Sequence, residues 1–388
     1  MDPLPNLGLN TLLAHYGEDR KDQGAVVAPI YQTSLFVFDT IDDFVSGIEG
    51  NPQGPPFHYS RIGNPSVDLA ERKIARLEGT DACKLFGNGQ AAITAAIMSC
   101  TAAGAHVVAV GTCYGPTRLL LHEYLARFGV TVTFVSGINS DDVIDAIRPE
   151  TTLVYLESPS SLLFWLQDIE KIANHCRSKG VTTAIDNTYC TPVFSNPASM
   201  GIDIVLHSGT KYMGGHSDLC AGAVCTTQER IDRLSRLEVN LLGSILAPFP
   251  AWLLTRGLRT LAIRMERHQK TGNAVAGWLE KQPQVERLTH VGLPSYPQRD
   301  LFHKQMRGSA SLFMFEPKVQ DKDRIIKFVE ALKLFQIGVS WGGFESLVVP
   351  IQIKPDEWSE PRWIVRLFCG LEDPEDLIAD LKDALRIL

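Results

Sequence analysis

The sequence predicts a large α/β domain built on a mostly parallel, doubly wound sheet, followed by a smaller α+β domain at the C-terminus. Three observations predict it. From Asp81 to Thr226, short apolar runs recur with amphipathic stretches of helical period between several of them, the pattern of buried strands joined by crossover helices. Beyond Ala251 that alternation stops, and a long helical pattern leads into fewer strands and closing helices. Residues 1–60 are rich in Gly and Pro and carry no sustained periodicity, so they belong to neither pattern.

Taken in chain order, residues 1–60 form an N-terminal arm, of which EGNPQGPPFHYSRIGNPS reads as extended chain and turns. A start this long and irregular is uncommon unless it is functional or docks on a partner. Residues 61–256 form the large domain. Its strands are ACKLF, HVVAV, VTVTFV, TLVYL, TTAID, DIVLH and AGAVCT, with helices in TRLLLHEYLARFG and DIEKIANHCRSKG. A helical pattern from Ala251 to Gln282, interrupted near Gly257 and Gly272, links it to the C-terminal domain, 257–388. There SASLFMFE, SLVVP and IVRLFC read as strands, and DRIIKFVEALKLF and PEDLIADLKDALRIL as helices.

Composition bounds the function. The chain has 388 residues, 45% hydrophobic and 21% charged, enough to enclose a site in an ordinary globular core. The net charge of -7 is interspersed, and no basic block offers a track for nucleic acid. No apolar run is long enough to cross a bilayer, and MDPLPNLGLNTLLAHYGEDRKD lacks the charge and apolar stretch of a leader. The eight cysteines include no CxxC pair and read as buried, reduced thiols. A cytoplasmic enzyme with a small-molecule substrate is expected, with no membrane and no metal.

The candidate chemistry lies at strand ends. HSGTKYMGGHSD follows the strand DIVLH, placing Lys211 in the crevice where open α/β sheets bind ligands. Hydroxyls at Ser208 and Thr210 beside an amine suit a phosphate-bearing aldehyde cofactor, although this string taken alone reads better as a surface loop with a solvated lysine. Asp186 ends the strand TTAID, where a carboxylate either faces a ring nitrogen and keeps it protonated or caps the turn at Asn187 and Thr188. Gly87-Asn88-Gly89-Gln90 opens an alanine-rich helix whose N-terminus can bind phosphate, or whose small residues serve close packing. Tyr114, past HVVAV, is placed to stack on a planar ring or to sit in a loop. Arg366, inside an apolar strand, needs an anion: a substrate carboxylate, or Glu372 or Asp373. His207 and His216 flank the lysine loop without metal-ligand spacing and read as structural.

In this order the motifs QTSLF, YSR, GNGQAA, YGPTR, ESP, AIDNT, SGTKYMGGHSD, RGLRTLAIRMERHQ, SWGGFESL and VRLFCGLEDPEDLIADL cover nearly the full length. The chain resembles the Cys/Met-metabolism family of fold-type I pyridoxal 5'-phosphate enzymes, with the bacterial cystathionine β-lyases as the nearest branch. The resemblance implies that Lys211 carries the cofactor as a Schiff base and that Asp186 pairs with the pyridinium nitrogen. It implies that Ser208, Thr210, Gly89 and Gln90 hold the phosphate and that Tyr114 stacks on the ring. Arg366, with Ser340 and Trp341, resembles the substrate-carboxylate end. Tyr59 and Arg61 look like the pair that reaches into a neighbouring subunit's site, which implies a homotetramer built from dimers. Tyr59 or Tyr114 would assist in keeping the substrate amine deprotonated.

The implied reaction is β-elimination of cystathionine or a related S-substituted cysteine to a thiol, pyruvate and ammonia. Glu157-Ser158-Pro159-Ser160-Ser161-Leu162 and Ser340-Trp341-Gly342-Gly343 resemble β-lyases, where the γ-enzymes usually read ESPTNP and lack the tryptophan. YSRIGNPS is closer to the γ-enzymes, while Asn88-Gly89-Gln90 and Trp252 depart from the usual pattern. The rival readings are a γ-synthase, γ-lyase or sulfhydrylase of the same family, and a catalytically silent binding protein on the same fold.

Overall fold

The computed structural model describes residues 7–18, 23–49, 54–354 and 359–388. Residues 1–6, 19–22 and 50–53 of the expected arm lie outside the described residues. The expected strands of the large domain all form: β1 (Ala82–Phe86), β2 (His106–Val110), β3 (Thr131–Val135), β4 (Thr151–Glu157), β5 (Thr182–Asp186), β6 (Ile204–Ser208) and β7 (Gly222–Thr226). They make one sheet in the order β1-β7-β6-β5-β4-β2-β3. Pairing is parallel from β3 across to β6, whereas β7 runs antiparallel to both β6 and β1.

The reversal at β7 follows from the connection. A parallel neighbour requires a crossover of a dozen or more residues, usually a helix, to carry the chain back. Residues 209–221 are long enough for one but form turns and no helix, and the chain returns antiparallel alongside β6. This loop carries Lys211, so the lysine stays at the carboxyl edge of the sheet. The ends of β1, β4, β5 and β6 share that edge.

The helix Ile169–Lys179 shows why the local sequence folds as it does. The Asp168 side chain accepts the Lys171 N–H at its start, and Gly180, with φ +68°, ends it. Its buried face, Ile169, Ile172, Ala173 and Cys176, recurs at helical spacing against the sheet. TRLLLHEYLARFG is less regular: an α-helical turn at Gly115–Leu119 passes through a π segment, Leu120–Tyr124, into a 3-10 turn, Leu125–Phe128.

The linking pattern breaks where Gly257 suggests, between the helices Pro248–Leu258 and Leu261–Leu279. It does not break at Gly272, which lies inside the second helix. A Cβ there would stand 2.7 Å from the Ser311 Cα, so the glycine permits close packing. This helix joins two cores, burying Leu261 and Met265 with the large sheet and Val275 and Leu279 with the small one.

The small sheet has the order β10-β11-β12-β9-β8: β8 (Val285–Thr289), β9 (Leu312–Pro317), β10 (Gln336–Ile337), β11 (Leu347–Ile353) and β12 (Arg362–Phe368). The sequence reading misses β8 and β10. The first is short and half polar, and the second is a two-residue edge with no buried face.

Of the N-terminal segment, the helix Leu9–His15 packs on its own chain. It buries Leu12 and Leu13 in the large core, while the buried Lys73 ammonium binds Glu18 and the Leu13 carbonyl. Further on, Val26, Val37 and Ile41 are exposed. All eight thiols are free, with Cys220 exposed. Among the described residues no helix is long and apolar enough to cross a membrane.

Gly222 is a point of strict packing, because a Cβ there would collide with the Asn88 carbonyl and come within 2.9 Å of the Ala92 Cβ. Gly222→Ala is expected to destabilise the protein by about 1–3 kcal/mol, seen as a lower midpoint in thermal unfolding.

Candidate active site

A cavity of about 310 Å³ opens at the carboxyl edge of the large sheet and is lined from both domains. Lys211 and Asp186 face this same space, as do Gly89, Gln90, Tyr114, Ser208 and Thr210. Ser340, Trp341 and Arg366 close it from the small domain.

One end is built by the start of the helix Gly89–Ser99. The Asn88 side chain accepts the Ala91 N–H at 2.8 Å, and the first-turn N–H groups have no carbonyl partners within the helix. A Cβ on Gly89 would lie 2.8 Å from that of Ser208, so the helix start touches the end of β6. The Gln90 amide donates to Thr94, and its buried Oε1 has no partner. Thr210 is held by the Ala221 backbone at 3.2 and 3.1 Å. Backbone N–H groups, hydroxyls and a helix N-terminus together suit a phosphate dianion.

Asp186 ends β5. Its Oδ1 accepts the Thr188 N–H at 2.9 Å and the Thr188 hydroxyl. Removal from water raises its pKa, while the Thr188 hydrogen bonds and the charges of His207 and Lys211 oppose the rise. The caps that the turn reading foresaw are therefore present, and the carboxylate still faces the cavity.

Glu157, beside Asp186 in register, is a site residue the sequence reading used only within the string ESP. It is buried and accepts the Tyr114 N–H at 2.8 Å. Burial, with the neighbouring Asp186 charge, pushes its carboxyl up to about 8. Thr188 is the cap partner of Asp186 that the turn reading foresaw, and the structure places the pair on the cavity wall. An acid closing an apolar strand was the available signal for Glu157; nothing in the sequence pairs Thr188 with a cavity.

The Lys211 amine donates to Ser340 Oγ at 2.8 Å and lies 5.5 Å from the centre of a Trp341 ring. Burial, then the positive charge of Arg366, brings its pKa down to about 8. The loop bringing Ser340 and Trp341 is pinned by Gly342. This residue has φ +87°, and a Cβ on it would stand 2.6 Å from the Tyr212 nitrogen and 2.7 Å from the Lys211 carbonyl carbon. Arg366, on β12, donates to the Val339 carbonyl at 2.6 Å. Neither acid proposed for it is available as a partner: Glu372 binds Ser346, and Asp373 pairs with Arg267. The guanidinium is left facing the cavity.

Tyr59 and Arg61 are not brought to this cavity. Tyr59 is 42% exposed in a separate groove, and Arg61 lies over its ring and donates to Asn240. His207 is buried against Glu78 at 2.6 Å, and His216 binds the Gly214 carbonyl at 2.8 Å.

A desolvated amine near neutrality, a buried carboxylate across the cavity and a phosphate-shaped end fit one group, pyridoxal 5'-phosphate, and the fold is that of fold-type I enzymes using it. Residues 10–386 match the family described as Cys/Met metabolism PLP-dependent enzyme. The L-methionine gamma-lyase of Porphyromonas gingivalis is 40% identical over 397 residues, covering 99% of this chain and 98% of that protein. That of Treponema denticola is 39% identical, covering 98% of each. The chloroplastic cystathionine beta-lyase of Mimosa pudica is 34% identical, over 97% of this chain and 82% of that protein. The chain belongs to the Cys/Met-metabolism family of pyridoxal-phosphate enzymes, and it is a carbon–sulfur lyase of that family. The identities are higher to the γ-lyases than to the β-lyase, although the sequence motifs lean the other way.

In cofactor-free protein, the Lys211 amine is protonated below its depressed pKa and nucleophilic above it. Reductive methylation of Lys211, followed by peptide mass spectrometry across a pH series, is expected to reach half its plateau rate near pH 8, well below exposed lysines.

Proposed function

We propose that this enzyme eliminates the sulfur substituent from Cβ of cystathionine or a related S-substituted cysteine, giving with water a thiol, pyruvate and ammonia. The observation that carries the reading is the position of the residues that differ from the γ-enzymes. Ser160, Ser161, Leu162 and Trp341 line the cavity of Lys211, where they bear on which carbon–sulfur bond is presented.

Bound pyridoxal phosphate supplies an aldehyde and a protonated ring that accept the electrons released when the Cα–H bond breaks. In this reading Lys211 would hold the aldehyde of the cofactor, and its amine would be the base that takes the proton from Cα. A pKa near 8 suits a base at neutral pH, and the Ser340 hydroxyl orients the amine. Asp186 keeps the ring nitrogen protonated, steadied by Thr188. Ser208, Thr210 and the N–H groups of Gly89 and Gln90 hold the phosphate. Tyr114 lies against the ring, its backbone fixed by Glu157, and assists in keeping the incoming amine neutral. Arg366 grips the α-carboxylate.

Tyr59 and Arg61 act in the site of a second subunit, which makes a dimer the smallest working unit and a dimer of dimers the expected assembly. Their distance from the chain's own cavity supports this reading. Mixing Lys211→Ala and Arg61→Ala subunits by reversible dissociation is expected to restore one intact site per mixed dimer. Activity that stays at the level of the separate variants would place Arg61 in its own subunit's site.

The second reading is γ-elimination, favoured by the names and identities of the methionine γ-lyases. It requires a further proton to leave Cβ. Identifying the 2-oxo acid by mass spectrometry decides between them: pyruvate from cystathionine supports β-elimination, and 2-oxobutyrate overturns it. Lys211→Ala is expected to lower turnover by at least about a thousandfold, a loss attributable to removing both base and covalent anchor.

A further inference from the structure

We propose that Glu157 and Asp186 form a carboxyl pair that shares one proton before the cofactor enters, and that a cationic ring nitrogen arriving at Asp186 expels this proton from Glu157. Binding of the ring is thereby coupled to release of a proton, and Glu157 acts as a positioning residue that responds to the cofactor. The coupling depends on the ring nitrogen lying at Asp186 and not on which carbon–sulfur bond breaks.

The two acids end adjacent parallel strands and are partners in register, so their backbones stand about 4.8 Å apart. Both line the cavity of Lys211, Glu157 buried and Asp186 half-buried at its wall. Their hydrogen-bond donors are neutral: the Tyr114 N–H for Glu157, and the Thr188 N–H and hydroxyl for Asp186. Among the described residues neither acid makes an ion pair, because the cations of the cavity are bound elsewhere, Lys211 to Ser340 and Arg366 to the Val339 carbonyl. Two neighbouring carboxyls in such a place do not both ionise, and one holds its proton.

The surroundings decide which acid keeps it. Asp186 receives both Thr188 hydrogen bonds and the favourable charges of His207 and Lys211, which oppose the effect of burial. Glu157 is buried, and the charge acting on it most strongly is the like charge of Asp186; together they raise its carboxyl to about 8. The other titratable groups around the pair, Cys113, Tyr155 and Tyr189, are held neutral by burial. At neutral pH the proton therefore sits on Glu157. A ring cation against Asp186 cancels the charge that kept it there, and the proton passes to solvent. Once ionised, Glu157 accepts the Tyr114 N–H more strongly, which fixes Tyr114 beside the ring whose arrival caused the change.

The test uses the full chain freed of cofactor and two probes. Pyridoxine 5'-phosphate has the ring nitrogen and the phosphate but no aldehyde, so Lys211 forms no bond to it; phenyl phosphate has the phosphate and a ring without nitrogen. Calorimetry at about pH 7, in buffers of different ionisation enthalpy, counts the protons exchanged. Pyridoxine phosphate is expected to release more than about half a proton per site beyond phenyl phosphate. Glu157→Gln, whose amide oxygen can still accept the Tyr114 N–H, is expected to erase that difference. Infrared difference spectra of the unaltered protein need no variant: a protonated-carboxyl band is expected to vanish with pyridoxine phosphate and to persist with phenyl phosphate. Equal proton counts for the two probes, a difference that survives Glu157→Gln, or absence of the band would overturn the proposal. Unchanged binding of pyridoxine phosphate to Asp186→Asn would remove the ring nitrogen from Asp186 and the coupling with it, an outcome separate from the identity of the 2-oxo acid that judges the elimination.

Discussion

An amine that must work as a nucleophile and a base near neutral pH has to be taken out of water, and the architecture around Lys211 does this. Burial destabilises the ammonium form, and the fixed charge of Arg366 adds to the effect. Neither influence is local in sequence. The lysine arrives on the loop that ends β6, and Arg366 comes on β12 of the other domain. Ser340 and Trp341 are carried by a loop locked onto the lysine backbone through Gly342. The two domains must dock for the amine to be tuned, so cofactor chemistry and domain packing are one constraint.

The sheet contributes the second half of that constraint. Because β7 returns antiparallel without a crossover helix, the lysine loop stays on the same edge as the ends of β5 and β4. Two acids, Asp186 and Glu157, lie side by side there, and each raises the cost of ionising the other. A protonated ring nitrogen held by Asp186 would relieve part of that cost, while Glu157 holds the Tyr114 backbone.

Identity averaged over the whole chain and identity at the cavity carry different information. The shared scaffold fixes the cofactor class, which is common to relatives named for either bond cleavage. The positions that differ from the γ-enzymes, Ser160, Ser161, Leu162 and Trp341, line the cavity and are a handful that hardly changes an overall percentage. High identity to methionine γ-lyases and β-lyase-like motifs at the cavity are thus compatible observations.

Much of the fold was legible because buried strands and crossover helices impose strong periodicities, and every large-domain strand stood out as an apolar run. Lys211 and Asp186, at or just past strand ends, and Arg366, inside an apolar strand, each had a bland alternative in the sequence, and the structure brings all three to one cavity. Gly272 misled, since a glycine inside a helix looks like a break until a neighbouring backbone shows why no side chain fits. The edges β8 and β10 carried too little apolar signal to register. Glu157 required the tertiary structure, because its partners, Tyr114 and Asp186, are far away in the chain. Sequence by itself determined the large-domain strands and the residues at their ends, through local patterns that burial enforces, and its ordered motifs carried the resemblance that implies the cofactor. Only the tertiary structure decided which charges share a cavity and which amine loses its water, because desolvation and charge coupling depend on distance in space rather than on order along the chain.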